Sequence, residues 1–266
     1  MSEILRASGV CMYFGGLKAV ENVDMCVEQG DVYGIIGPNG AGKTTYFNVC
    51  SGIYKPTRGD VYLCGEKITG TLPERIAQKG LARTFQNIKL FNYMSVLDNV
   101  KIGFHSRTKT NIAGALFHTP TYKRDEIYAV EKGHEILDIV GLSRYADTKA
   151  GNLPYGLQRR VEIARALALD PKILLLDEPA AGMNPNETRD LVVLIKKLNA
   201  MGYTICVIEH DMKFVMNSCN RILVLNFGIK ISEGTPEEVK RDRAVHEAYF
   251  GKGIVAGEAV KANAEN

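Results

Sequence analysis

The sequence has no tryptophan, which by itself excludes nothing; its other absences exclude more. No apolar run approaches the about 20 residues that a membrane-spanning helix needs, so work at a membrane would be done from its cytoplasmic surface with the help of other chains. Residues 1–10 show no basic stretch leading into a long apolar one, and no secretory leader is expected. Neither sign of charge dominates: 33 Lys and Arg stand against 30 Asp and Glu, a net of +3, scattered rather than striped. That balance argues against nucleic acid as a partner. None of the 6 cysteines (Cys11, Cys26, Cys50, Cys64, Cys206, Cys219) forms a CxxC pair, and no Cys/His cluster has the spacing of a zinc site. Several lie inside apolar runs, and the six read as buried thiols kept reduced in a reducing compartment.

What is present is an ordinary globular composition over 266 residues, enough for one sizeable core or one core with an appended subdomain. Residues 4–10, 20–27 and 31–36 have strand character, and residues 60–63 follow the turn signal Lys55-Pro56-Thr57-Arg58-Gly59. Short strands joined by turns predict an antiparallel sheet near the N-terminus. The middle of the chain changes period. Residues 123–140 place Ile127, Val130, Leu137 and Val140 at helical spacing, and Leu157, Val161, Ala164 and Leu167 repeat it. No strand is expected between Gln86 and Pro171. Alternation then returns: strands at 172–177, 203–209, 221–225 and 229–232, with helices at 186–200 and 212–219. The unbroken apolar runs at 172–177 and 203–208 suit strands covered on both faces of a parallel sheet. Residues 253–266, rich in Ala, Lys, Glu and Gly, read as a loosely ordered tail.

Gly37-Pro38-Asn39-Gly40-Ala41-Gly42-Lys43-Thr44 matches G-x-x-x-x-G-K-[ST] after a strand and before a helix. Glycines let the backbone curl so that its N–H groups converge on phosphate oxygens, and the helix adds its positive end. Lys43 would reach the β- and γ-phosphates, Thr44 would offer a hydroxyl to Mg²⁺, and Thr45 continues the same first turn. Ile173-Leu174-Leu175-Leu176-Asp177-Glu178 ends a buried strand in two acids, where open parallel sheets bind ligands. Asp177 suits a metal-holding role, through a water, and Glu178 that of general base toward water. Glu209-His210-Asp211 closes the next buried strand, and His210 suits a contact with the γ-phosphate.

Together these motifs resemble the ATP-binding subunits of ABC transporters across nearly the whole chain. The resemblance implies a P-loop NTPase α/β fold: a mostly parallel sheet, an N-terminal antiparallel β subdomain and an inserted helical subdomain. It implies a single nucleotide-binding domain over residues 1–252, with core 1–88 and 160–235, helical subdomain 89–159 and C-terminal helices 236–252. It further implies that Gln86 is the Q-loop glutamine, sensing Mg²⁺ and the attacking water, that His210 is the switch histidine, and that Phe14 stacks on adenine, with Tyr13 the neighbouring candidate. Ala180-Ala181-Gly182-Met183-Asn184 matches the D-loop that crosses to a partner subunit. Asn152-Leu153-Pro154-Tyr155-Gly156-Leu157 stands in place of the signature motif L-S-G-G-Q, with Pro154 where Ser is usual and Leu157 where Gln is usual. Leu153, Pro154, Tyr155 and Gly156 are thus expected to meet ATP across a head-to-tail dimer, through backbone groups and the helix dipole.

The runs Tyr155–Arg165, Pro179–Pro185, Gly234–Glu238 and the insert Gly114–Pro120 are similar to ATPases of branched-chain amino acid importers. That implies ATP and Mg²⁺ as cofactors, a second ATP-binding subunit (paralogue or identical copy) and membrane permease subunits as partners. It implies an extracytoplasmic binding protein at one remove, and a place on the cytoplasmic face of the membrane. Permease docking would use Lys89-Leu90-Phe91-Asn92-Tyr93-Met94. Alternatives are an ABC ATPase for related amino acids, amides, urea or lipopolysaccharide export, a soluble non-transport ABC ATPase, and a nucleotide-sensing module without useful hydrolysis.

Overall fold

The structure is a computed structural model and describes residues 2–104 and 119–250. Two compact units divide the chain, Met1–Pro73 with Thr204–Asn266, and Glu74–Tyr203.

The first unit opens with β1 (Glu3–Phe14) and β2 (Leu17–Glu28), an antiparallel hairpin in which Ala7 faces Met25 and Val10 faces Val23. Both strands run longer than the apolar patches at 4–10 and 20–27, and register shifts interrupt the ladder along the pair. Next comes β3 (Val32–Ile36), all five residues buried, which feeds α1 (Lys43–Cys50). The expected antiparallel sheet forms from β4 (Arg58–Leu63) and β5 (Glu66–Lys67), in the order β2-β1-β4-β5. Cys64 corrects an expectation. It sits exposed with φ 50° in the turn between β4 and β5, outside any apolar packing. Cys26 is only partly covered, whereas Cys11, Cys50, Cys206 and Cys219 are buried.

The second unit begins within α2 (Pro73–Gln78), and β6 (Leu81–Arg83) follows; neither is apparent from periodicity because each is shorter than two helical turns or two strand repeats. Helices α3 (Val96–Phe104), α4 (Pro120–Val140) and α5 (Tyr155–Leu167) follow, and α3 packs against both others. Among the described residues, the stretch expected to lack strands holds only an isolated bridge between Ser95 and Lys149. Of the insert 114–120, residues 114–118 lie outside the described residues; Thr119 caps α4 by accepting from the Tyr122 N–H, with Pro120 in the first turn. Then β7 (Ile173–Asp177), fully buried, pairs in parallel with β6, and α6 (Pro185–Ala200) completes the unit.

The chain returns to the first unit with β8 (Thr204–Ile208), α7 (Met212–Ser218), β9 (Arg221–Asn226) and β10 (Ile229–Gly234). β3 lies between β8 and β9 and runs parallel to both; β10 pairs antiparallel along β9. Burial of all five residues of β7 and of β8 accounts for the apolar runs at 172–177 and 203–208, since each fully covered aliphatic side chain contributes about 1.5–3 kcal/mol. A capping box between Thr235 and Glu238 starts α8 (Pro236–Arg241), and α9 (Arg243–Phe250) ends the described chain. The expected tail, 253–266, lies outside the described residues.

Candidate nucleotide site

In the first unit, the loop after β3 is shaped by two glycines that nothing else can replace. Gly37 has φ 154°, and a Cβ there would lie 2.1 Å from the Leu225 carbonyl oxygen. Gly42 has φ 94°, with a Cβ position 2.4 Å from the Ala19 oxygen. Gly42 is also the N-cap of α1 and makes no side-chain cap bond, so the loop leads directly into the positive end of that helix. Lys43 is buried; its Nζ donates to the carbonyl oxygens of Gly37 at 2.7 Å and Pro38 at 3.0 Å. The ammonium is therefore held inside the curl formed by Gly37, Pro38, Asn39, Gly40, Ala41 and Gly42, with Thr44 and Thr45 in the first turn of α1. A backbone bond from Gly228 N–H to the Ala41 carbonyl, 3.0 Å, ties the β9–β10 turn to the same loop.

Phe14 is 43% exposed at the end of β1, its ring edge-on to Tyr54 at 5.5 Å. A partly exposed aromatic ring suits stacking on a planar base. Beyond β8, Glu209 is wholly buried while the His210 ring is 56% exposed. The His210 N–H donates to Glu209 Oε2 at 3.2 Å, and the ring Nδ1 stands 3.7 Å from that oxygen. Asp211 caps α7 through the N–H groups of Lys213 and Phe214, which explains the third residue of that motif structurally.

In the second unit, β7 delivers Asp177 and Glu178. Asp177 pairs through Oδ2 with Arg83 at 2.7 Å, both side chains almost fully buried, and its Oδ1 is buried with no hydrogen-bond partner among the described residues. An acceptor left open in this way fits an oxygen-seeking cation or a water bound to one. Glu178 takes φ 45°, uncommon for a residue with a side chain and often found where geometry serves a reaction. Its Oε2 accepts from Gln86 Nε2 at 2.8 Å. The structure thus brings Gln86 and Glu178 together, as neither motif alone foretold.

The signature segment begins α5 at Tyr155. Pro154 is the N-cap and offers no side-chain bond; its carbonyl accepts from Leu157 and Gln158, and Leu153 lies buried behind it. Tyr155 packs on Gly182 of the D-loop segment, where a Cβ would come 3.4 Å from its ring, and Gly156 packs against Glu187. Arg159 is wholly buried and bonds to the Phe85 and Gln86 carbonyls. The sequence motifs do not mark Arg83 or Arg159 as site residues.

Residues 20–181 match the family pattern described as ABC transporter. The chain belongs to the ABC transporter family. Residues 230–254 match a second pattern, the branched-chain amino acid ATP-binding cassette transporter. The chain is 47% identical over 250 residues to the high-affinity branched-chain amino acid transport ATP-binding protein BraF of Pseudomonas aeruginosa, covering 94% of this chain and 98% of that one. Among solved structures, an ATP-binding cassette of an ABC transporter in its ADP conformation matches with TM-score 0.82 and 36% identity, over 95% of this chain and 100% of that one. A cassette solved as a dimer in a post-hydrolysis state with ADP and Pi matches with TM-score 0.73 and 28% identity, over 88% and 99%. As a cassette of this family the chain is an ATP-hydrolysing subunit with the P-loop NTPase α/β fold expected from its sequence.

Proposed function

We propose that this ABC cassette powers a branched-chain amino acid importer from the inner face of the membrane, with the roles of its site residues as read from the motifs. The observation that carries the substrate class is the C-terminal match, because residues 230–254 follow the pattern of that transporter type and not only of cassettes at large. None of the described helices is long and apolar enough to cross a membrane, so transport needs permease subunits.

In this reading Lys43 and the loop from Gly37 to Thr45 grip the phosphates, and Phe14 stacks on adenine. Glu178 takes the proton of the attacking water while Gln86 orients it, and His210 contacts the γ-phosphate. Thr44, Gln86 and Asp177 would hold Mg²⁺, which when bound neutralises charge developing on the phosphates. Leu153, Pro154, Tyr155 and Gly156 meet ATP from a second subunit, through the uncapped start of α5. A site for the permease is supported by the loop after Gln86: Phe91 is 52% exposed, Tyr93 91% and Met94 37%. Buried Asn99 grips the Phe91 backbone from both sides, donating to its carbonyl at 3.1 Å and accepting from its N–H at 2.9 Å. Apolar side chains are thereby held outward on a fixed backbone, the form a docking surface takes.

The test is reconstitution of the chain with the permease that co-purifies with it, in proteoliposomes supplied with the matching binding protein. ATP-dependent uptake of leucine, isoleucine or valine is expected. Uptake restricted to urea or amides would overturn the substrate class, and absence of any co-purifying permease would overturn the transport role.

A further inference from the structure

Arg159 is the largest wholly buried side chain of the described residues and a costly one to bury, because a guanidinium carries charge and five N–H donors. It lies in the first two turns of α5, two residues beyond the signature segment. Its Nη1 donates to the Phe85 carbonyl at 2.7 Å and to Glu162 Oε2 at 2.6 Å. Its Nη2 donates to the Gln86 carbonyl at 2.7 Å and meets the Tyr155 hydroxyl at 3.5 Å. Glu162, 2% exposed, neutralises the charge from within the same helix. One fork therefore grips two successive carbonyls of one loop and the first residue of the signature helix.

The bonded backbone belongs to Gln86, whose side-chain amide holds the Glu178 carboxylate at 2.8 Å. We infer that Arg159 is a positioning residue for ATP hydrolysis: it fixes the Phe85–Gln86 backbone, and through it the amide that orients Glu178, to the start of the signature helix. The inference rests on the reading of Glu178 as general base. Its physical content is a length constraint. Gln86 has three rotatable side-chain bonds, and without a fixed main chain its amide would sample many positions around Glu178. Misplacement of a reacting group by about 1 Å can cost about 100-fold in rate. A structural role alone would ask only for neutralisation of Glu162, which a lysine supplies. The two-carbonyl grip asks for the planar fork.

The experiment compares the parent with Arg159→Lys and with the paired change Arg159→Met plus Glu162→Met, which leaves no buried charge unpaired. Affinity for a fluorescent ATP analogue, turnover, thermal midpoint and amide exchange of the Phe85–Asn87 segment are read together. For the paired variant, analogue affinity within about 3-fold of the parent, turnover lowered about 10- to 100-fold and faster exchange at the segment are expected. Arg159→Lys is expected to fold, bind and exchange faster at the segment, with turnover between the two. Adding Gln86→Ala to the paired variant is expected to lower turnover little further, because both changes remove one function. Parent-like turnover in the folded paired variant overturns the inference. If the paired variant does not fold, Arg159→Lys decides alone: parent-like turnover and exchange overturn it. Glu178→Gln, run alongside, separates the two readings. Loss of turnover there with none in the Arg159 variants sinks this inference only; full turnover there sinks the general-base reading itself.

Discussion

The guanidinium of Arg83 stands 2.7 Å from the carboxylate of Asp177, and both side chains are almost fully withdrawn from water, 7% and 3% exposed. Burying either charge alone is expensive, so each depends on the other. Replacing Arg83 by Met leaves a buried carboxylate uncompensated and is expected to destabilise the fold by about 3–5 kcal/mol. Changing Asp177 to Asn in the same chain should recover most of that loss. Urea unfolding of the single and double variants measures both; equal midpoints for parent and Arg83→Met would show that the pair carries no such weight.

Replacement of Glu178 by Gln keeps shape and the contact with Gln86 but removes the base. ATP binding is expected to persist, turnover to fall at least about 100-fold, and a dimer to accumulate with ATP, visible by size-exclusion chromatography. Turnover at the parent rate would reassign the base.

Lys43 is satisfied by the Gly37 and Pro38 carbonyls, so its ammonium is already inside the loop that phosphate would enter. Lys43→Ala should lower affinity for ATP by about 10- to 100-fold, the equivalent of one charge-assisted hydrogen bond. Calorimetric titration reads this directly, and unchanged affinity would remove Lys43 from the phosphate site.

Thiol chemistry separates the cysteines by burial. Burial pushes the Cys219 thiol up to about 12 and Cys206 above its usual range, while Cys64 is exposed. An aromatic disulfide reagent at pH 8 should therefore modify Cys64 well before Cys206 or Cys219. The same shift bears on stability. An unfolded Cys219 loses its proton near pH 9, whereas the folded one keeps it to about 12. Its contribution is thus whole below pH 9 and declines as pH climbs toward 12, by about 1.4 kcal/mol per pH unit. Cys219→Ala should flatten the decline between pH 9 and 10 by about that amount in denaturant melts; identical slopes would show that the thiol is not sequestered.

Legibility in the sequence followed length and chemistry. The runs ending at Asp177 and Ile208 announced themselves because a strand covered on both faces must be apolar throughout, and the phosphate loop because its glycines are spaced by geometry. Leu81–Arg83 was too short to carry a period, although it delivers Arg83 and leads into Gln86. The two arginines escaped for a different reason. Charged residues are ordinarily read as solvated, and only their three-dimensional partners reveal otherwise. A trace of Arg159 was nonetheless present: it shares the buried stripe of α5 with Gly156 and Ile163 and has an acid three residues on. The contact between Gln86 and Glu178 joins residues far apart in sequence, beyond the reach of any local pattern.

The segment from Glu178 to Asn184 is tied at both ends: Ala181 N–H to the Glu178 carbonyl, Met183 N–H to that of Ala180, and the reciprocal bonds between Asn184 and Glu187 that open α6. A peptide so braced has little freedom left to surrender. Should it meet a second copy of the chain, as the resemblance implies, that encounter would begin with part of the ordering entropy already removed.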